Sequence, residues 1–188
     1  MLRITPATLH SEQYRKAIDI YLASFPEAER RPLESIENLI IADCRFTFYI
    51  ATLADDVVGF ITLWDLDTFI YGEHLAIDPT RRGANIGSRI IQWVKEHSGK
   101  PLILEIEPVD EPGITAAEIN QRQARLRFYL RLGFVPCPLP YLQPPYTPHL
   151  PSIPLVLMEA GGTLLPSHFE QIRHTIHSTV YGIKDSKK

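Results

Sequence analysis

Cysteine is nearly missing from this 188-residue chain, which has only Cys44 and Cys137. Two thiols cannot make a disulfide framework, so a small stapled extracellular scaffold is excluded, and both read as inert, buried, reduced residues. The segment from Met1 to Ala17 lacks an apolar run and mixes acid with base. No secretory leader is visible there, and the expected compartment is the cytoplasm. An excess of one charge is also missing: 22 acids against 19 bases leave a net charge of −3. A general affinity for nucleic acid is therefore not expected. The sequence has no Cys-x-x-Cys pair, no Walker loop and no Gly-x-Ser-x-Gly elbow.

Leu132 to Met158 contains no Asp, Glu, Lys or Arg, which by hydropathy alone suggests a membrane span. Proline rules that out, because eight of the chain's 16 prolines lie between Pro136 and Pro154. Each lacks an amide proton and clashes with the preceding turn, and lipid does not tolerate open irregular backbone. With 45% apolar and 22% charged residues, the chain reads as one globular domain over 1–182, followed by a disordered tail over 183–188. At this length about 70% of the unfolded surface is buried, so a core needs no staples.

Tyr14, Ala17, Ile18, Tyr21, Leu22 and Phe25 form a helical stripe that Ser11 caps and Pro26 stops. A second helix is expected over Leu33–Ala42, with Pro32 at its start. The period then changes to two. Phe46, Phe48 and Ile50 lead into a hairpin punctuated by Asp55-Asp56 and continuing from Val57 to Trp64. A third strand, about Thr68 to Ile77, ends at Asp78-Pro79.

Helical spacing returns from Ile86 to Ser98-Gly99, and Leu102 to Glu107 is a short strand. Thr115 and Glu118 make a capping box for a helix reaching Leu132-Gly133, whose apolar residues on two sides predict cover on both. Leu155 to Met158 is a strand. A last helix is expected from about Pro166 to Tyr181. This order specifies a mixed α/β sheet.

The most informative stretch runs from Tyr71 to Ser88: a strand, a turn with two glycines and two arginines, then a helix. The first turn of a helix presents unpaired amides and the positive end of its dipole. A pyrophosphate fits there, with Arg81 and Arg82 adding charge. A dinucleotide fold is a poor match because the glycine spacing is wrong and Asp78-Pro79 intervenes. His168, His174 and His177 share the last helix, but no acid or thiolate completes a metal set.

These residues resemble the GNAT superfamily of N-acetyltransferases. Arg82-Gly83-Ala84-Asn85-Ile86-Gly87 is similar to its coenzyme-binding loop, with Asn85 where the family usually has Gly. Asn is the non-glycine residue best suited to left-handed backbone. Ala124 to Phe134, with Tyr129 four residues before Gly133-Phe134, is similar to a second family block. Arg122 stands where many members carry an Asn that touches the cofactor.

The resemblance implies a GNAT-like, mostly antiparallel central sheet flanked by helices, with a splay between its two central strands. It implies acetyl-CoA as cosubstrate. The pyrophosphate would lie on Arg82, Gly83, Ala84, Asn85, Ile86, Gly87 and Ser88, and the pantetheine arm beside the backbone of Leu75, Ala76 and Ile77. Four arginines between Arg122 and Arg131, with no acid among them, form a local positive patch.

A protonated amine must lose a proton before it attacks a thioester, which calls for a base. Glu73 is the first candidate and Glu105 the second, with Glu107 on the same face. In a regular strand His74 points away from Glu73; a bulge would change that. The amide near Leu75 would steady the developing oxyanion. The family position implies Tyr129 as the acid that serves the leaving thiolate.

No metal is implied. The expected activity is direct acetyl transfer to a small-molecule or peptide amine; the alternative is a non-catalytic acyl-CoA sensor. Glu27, Glu29, Glu34 and Glu37 are open to two readings, attraction of a cationic amine or an ordinary soluble surface. Pro138 to His149 reads as a stiffened acceptor wall carrying Tyr141, Gln143 and Tyr146, with an edge or homodimer contact as its rival.

Overall fold

The alternating run near residue 50 folds into the hairpin that organises the sheet. Phe46–Leu53 (β2) and Asp56–Asp65 (β3) pair antiparallel, and the chain reverses at Ala54 and Asp55, whose φ values are 49° and 70°. This is the left-handed pair that a two-residue hairpin demands. In the computed structural model, residues 1–165 and 167–183 are described. Of the expected tail, Lys184 to Lys188 lie outside them, as does Pro166, the expected first residue of the last helix.

Around the hairpin come Leu2–Pro6 (β1), Glu12–Ser24 (α1), Leu33–Ala42 (α2), Ile70–Ile77 (β4), Ile86–Ser98 (α3) and Leu102–Ile106 (β5). Then follow Ala116–Arg131 (α4), Val135–Pro136 (β6), Tyr141–Gln143 (β7), Ile153–Ala160 (β8) and Phe169–Thr175 (α5), the last continuing as a π turn over Ile176–Val180. The strand order is β1-β2-β3-β4-β5-β8-β6, with β7 paired to the start of β8. Every pairing is antiparallel except β4 with β5. Ser11 caps α1, and Thr115 with Glu118 closes the expected capping box on α4.

Strand β3 is buried along both faces. Phe60 and Trp64 join Tyr21, Ile36 and Phe48 on the side of α1 and α2, while Val58 and Ile61 join Ile86, Ile90 and Val94 under α3. A central strand covered on both faces explains why its sequence is continuously apolar.

Several expectations are corrected. β1 carries no sequence signal: it is a half-exposed edge strand ending in Pro6. Helix α4 is not covered on two sides, since Tyr129 is its only buried residue. Cys44 is exposed, because it sits in the turn between α2 and β2, whereas Cys137 is buried. The proline-rich run is short β6 and β7 with turns between them. Among the described residues, no helix is long and apolar enough to cross a membrane.

Candidate active site

β4 and β5 pair only over Ile70–Gly72 and Leu102–Leu104, after which they diverge. The amide of Asp78 donates to the Val58 carbonyl, and antiparallel alternation then directs Ala76 toward Phe60. The backbone of Leu75 and Ile77 therefore faces the opening between the strands. A cleft of about 580 Å³ occupies this opening. It runs from the end of α1 (Ser24, Phe25), past β4 and β5, to the first turn of α3 and the α4 side chains Phe128 and Tyr129.

At one end, the turn after Pro79 aims the α3 N-terminus into the cleft. Gly83 has φ +84°, and Asn85 caps the helix at φ 56° with no side-chain cap bond. Asn85 thus does what glycine would do at this position. A Cβ on Gly87 would sit 3.3 Å from Phe128 Cζ, so the residue keeps this wall thin. Arg82, Gly83, Asn85, Ile86, Gly87 and Ser88 all line the cleft, as do Leu75, Ala76 and Ile77, but exposed Ala84 does not. Free first-turn amides, a cradle without a side chain and adjacent arginines fit a pyrophosphate, and the open strand edge fits an extended amide-bearing arm.

At the other end, a register shift after Thr62 introduces a bulge at Glu73. It turns Glu73 and His74 to the same face, with Glu73 Oε2 and His74 Nδ1 3.9 Å apart. The regular-strand expectation for His74 is thereby corrected. Glu73 is saturated: Oε1 accepts from Arg31 Nη2 at 2.7 Å, Arg31 Nε at 3.1 Å and Tyr146 Oη at 2.9 Å, and Oε2 accepts from Trp64 Nε1 at 3.0 Å. Burial pushes its pKa up, but the Arg31 charge and these donors win and hold it below the usual carboxylate range. Arg31 also donates to the Val180 carbonyl and lies 4.7 Å from the Tyr146 ring centroid, joining the site to the C-terminal helix. His74 donates from Nε2 to the Glu29 carbonyl, and burial lowers its pKa, which keeps the ring neutral.

Glu105 faces the same end of the cleft with the opposite character. Burial raises its pKa to about 7, and the phenols of Tyr141, Tyr71 and Tyr181 pull only partly against that. Its Oε1 atom is sealed from solvent without a hydrogen-bond partner. Tyr129 is buried among α4 and Phe134, and desolvation raises its phenol to about 12 despite Arg125. Gln143 and Tyr146 line the cleft; Tyr141 stands behind Glu105 instead. Glu107 pairs with Arg125 and Glu111 with Arg122, so two of the four arginines of the expected positive patch on α4 are neutralised.

Sequence reasoning missed Arg31, Trp64, Tyr71 and Tyr181. Only pairing across the fold brings them together. Among the described residues, no group of three or more His, Cys, Asp or Glu side chains is placed to hold a metal.

A splayed mixed sheet whose opening meets a glycine-lined helix N-terminus defines an acyl-coenzyme A transferase fold, and comparisons with known proteins agree. The family described as "Acetyltransferase (GNAT) domain" matches residues 44–136. A solved structure assigned to GNAT acetyltransferases, from Bacteroides thetaiotaomicron, is 33% identical with a TM-score of 0.86, covering 97% of this chain and 99% of that one. A GNAT acetyltransferase from Elizabethkingia anophelis with acetyl-CoA bound shares the fold at 14% identity and a TM-score of 0.55, covering 85% of this chain and 97% of its own.

A curated relative assigned as an acetyltransferase, YjbC of Bacillus subtilis (strain 168), is 36% identical over 70 residues. That match spans 37% of this chain and only 33% of the relative's length. The chain belongs to the GNAT family of acetyltransferases, which transfer acetyl groups from acetyl-CoA.

Proposed function

We propose that this protein is an N-acetyltransferase that moves acetyl from acetyl-CoA directly to an amine bound in the same cleft. The observation that carries this reading is the continuity of one cleft, from the α3 first turn, along the free edge of β4, to Glu105 and Tyr129. The α3 amides of Ile86 to Ser88, with Arg82, hold the pyrophosphate, and Leu75 and Ile77 offer backbone partners to the pantetheine arm. When bound, the thioester supplies an activated acetyl group. Leu75 N–H donates to the oxygen that gathers charge.

Glu105, rather than Glu73, takes the amine proton. A carboxylate at about 7 is matched to neutral pH, whereas Glu73 is committed to four donors. Glu73 instead fixes Arg31, Trp64 and Tyr146 around the acceptor end. Tyr129 stays protonated and donates a hydrogen bond to the departing sulfur. Gln143 and Tyr146 form the acceptor wall, and Tyr141 backs Glu105.

Calorimetry with acetyl-CoA followed by amine-dependent thiol release tests this reading. Micromolar binding together with release by at least one primary amine is expected. Tight binding with no release across a broad amine screen would establish the sensor reading instead.

A further inference from the structure

The cleft carries charge of both signs. Arg81 and Arg82 line it at the α3 turn and Arg125 and Arg131 line it from α4, whereas Glu29, Glu73, Glu105 and Glu107 supply its carboxylates. Two of those carboxylates are neutralised, Glu73 by Arg31 and Glu107 by Arg125. Two are not: among the described residues neither Glu29 nor Glu105 makes an ion pair. The cations acting on Glu29 are Arg125 and Arg122, which are engaged by Glu107 and Glu111.

The same cleft is lined by an uncharged aromatic strip of Phe25, His74 and Tyr146. The ring centroids of Phe25 and His74 are 4.8 Å apart, and those of His74 and Tyr146 are 5.9 Å apart. His74 is bonded to the Glu29 carbonyl, which places the strip against the Glu29 end. Two polar atoms on this stretch of wall, Glu105 Oε1 and Ser24 Oγ, are buried without a partner. Buried polar atoms are rarely left so, and an unpartnered carboxylate oxygen and an unpartnered hydroxyl lining one cleft call for a ligand rich in donors.

Resting on the acetyltransferase reading, we propose that the acceptor is a small aliphatic diamine, its reacting nitrogen at Glu105, its methylene stem along Phe25 and His74, and its second ammonium at Glu29. The second carboxylate makes Glu29 a specificity determinant. Acceptors carrying their own carboxylate or phosphate meet uncompensated negative charge and are rejected.

Three probes of matched length test this at saturating acetyl-CoA: 1,4-diaminobutane, n-butylamine and 4-aminobutanoate, each followed by thiol release. The expected kcat/KM order is diamine, monoamine, amino acid, with steps of about tenfold or more from one charge-assisted contact. Glu29→Gln should collapse the diamine advantage over n-butylamine to about the twofold that follows from two equivalent ends, while calorimetry shows acetyl-CoA affinity intact. Equal rates for the three probes, or preference for the amino acid, would overturn the diamine assignment and leave the acetyltransferase reading standing. A Glu29→Gln variant that keeps the wild-type ratio would remove Glu29 from the second site. Acetyl-CoA binding without release by any amine would instead overturn the acetyltransferase reading itself.

Discussion

Arg31 and Glu73 stand 42 positions apart in the chain, yet Nη2 of one lies 2.7 Å from Oε1 of the other, with 11% and 1% of their side chains exposed. Breaking such a pair leaves one buried charge uncompensated, which costs about 3–5 kcal/mol, whereas replacing both partners with apolar groups is often neutral. Arg31→Met should therefore lower the melting temperature sharply, and Arg31→Met combined with Glu73→Leu should recover most of the loss. Equal melting of Arg31→Met and wild type would show that the pair contributes nothing.

The same pair sets a pH dependence. Glu73 is held below the ordinary carboxylate value, so its contribution to stability is present above that value and is lost as pH falls through the folded pKa. Acid titration of melting temperature should show a wild-type loss below about pH 4.5 that is absent from the apolar double variant. Parallel curves would remove Glu73 as the source.

How much of this was legible in the sequence depends on how local the determinants are. Helix α2 occupies Leu33–Ala42, and α3 begins at Ile86, both as read from helical spacing and punctuation. The positive φ of Asn85 follows from its residue type and place in the turn. β1 was not legible, because a five-residue edge strand has little burial to impose a pattern. The bulge at Glu73 was not legible either: it belongs to the pairing of β4 with β3, not to either strand alone. Arg31 sits in an Arg-Arg-Pro turn that reads as surface until Glu73 and the Val180 carbonyl are brought against it.

The assignment of the base predicts a pH–rate profile. Glu105 must be deprotonated to accept a proton, so kcat/KM should rise as pH increases through about 7. Glu105→Gln should lower kcat by about 10²- to 10⁴-fold and abolish that limb, while calorimetry finds acetyl-CoA bound as before. A Glu105→Gln variant with wild-type turnover would return the role of base to Glu73 or to water.

Tyr129 should contribute through its hydroxyl alone. The phenol titrates near 12, so it stays protonated throughout the assay range and adds no alkaline limb below that value. Tyr129→Phe keeps the ring against Phe134 and should slow turnover by about 10²-fold with little change in acetyl-CoA affinity. Unchanged turnover would take Tyr129 out of the mechanism.

Asn85 tests the coenzyme end. Its left-handed φ of 56° suits Asn or Gly, whereas a β-branched side chain strains there by about 1–2 kcal/mol. Asn85→Gly should leave the acetyl-CoA dissociation constant within a few-fold of wild type, on the order of that small conformational difference. Asn85→Val should weaken binding by about tenfold as the turn rotates its amides away from the cleft. Calorimetry that ranks Val with Gly would show that the turn conformation is not what orients those amides.

Keeping a carboxylate ready in a buried site costs stability. Burial raises the folded pKa of Glu105 to about 7, well above an ordinary carboxylate, so the folded state favours the protonated form. Its contribution to stability is complete below the unfolded value and is lost as pH rises through the folded one. Above pH 8 the ionised, desolvated side chain leaves the native state less stable by on the order of 3 kcal/mol. Glu105→Gln removes that charge, so the inactive variant should melt above wild type at about pH 8, with the advantage shrinking toward pH 4. Melting curves across that range distinguish this from a general packing effect, which would shift stability equally at both ends. A Gln variant less stable than wild type at pH 8 would mean that Glu105 is ionised at little cost in the folded protein, and the proposed match of its pKa to neutral-pH proton transfer would fail with it.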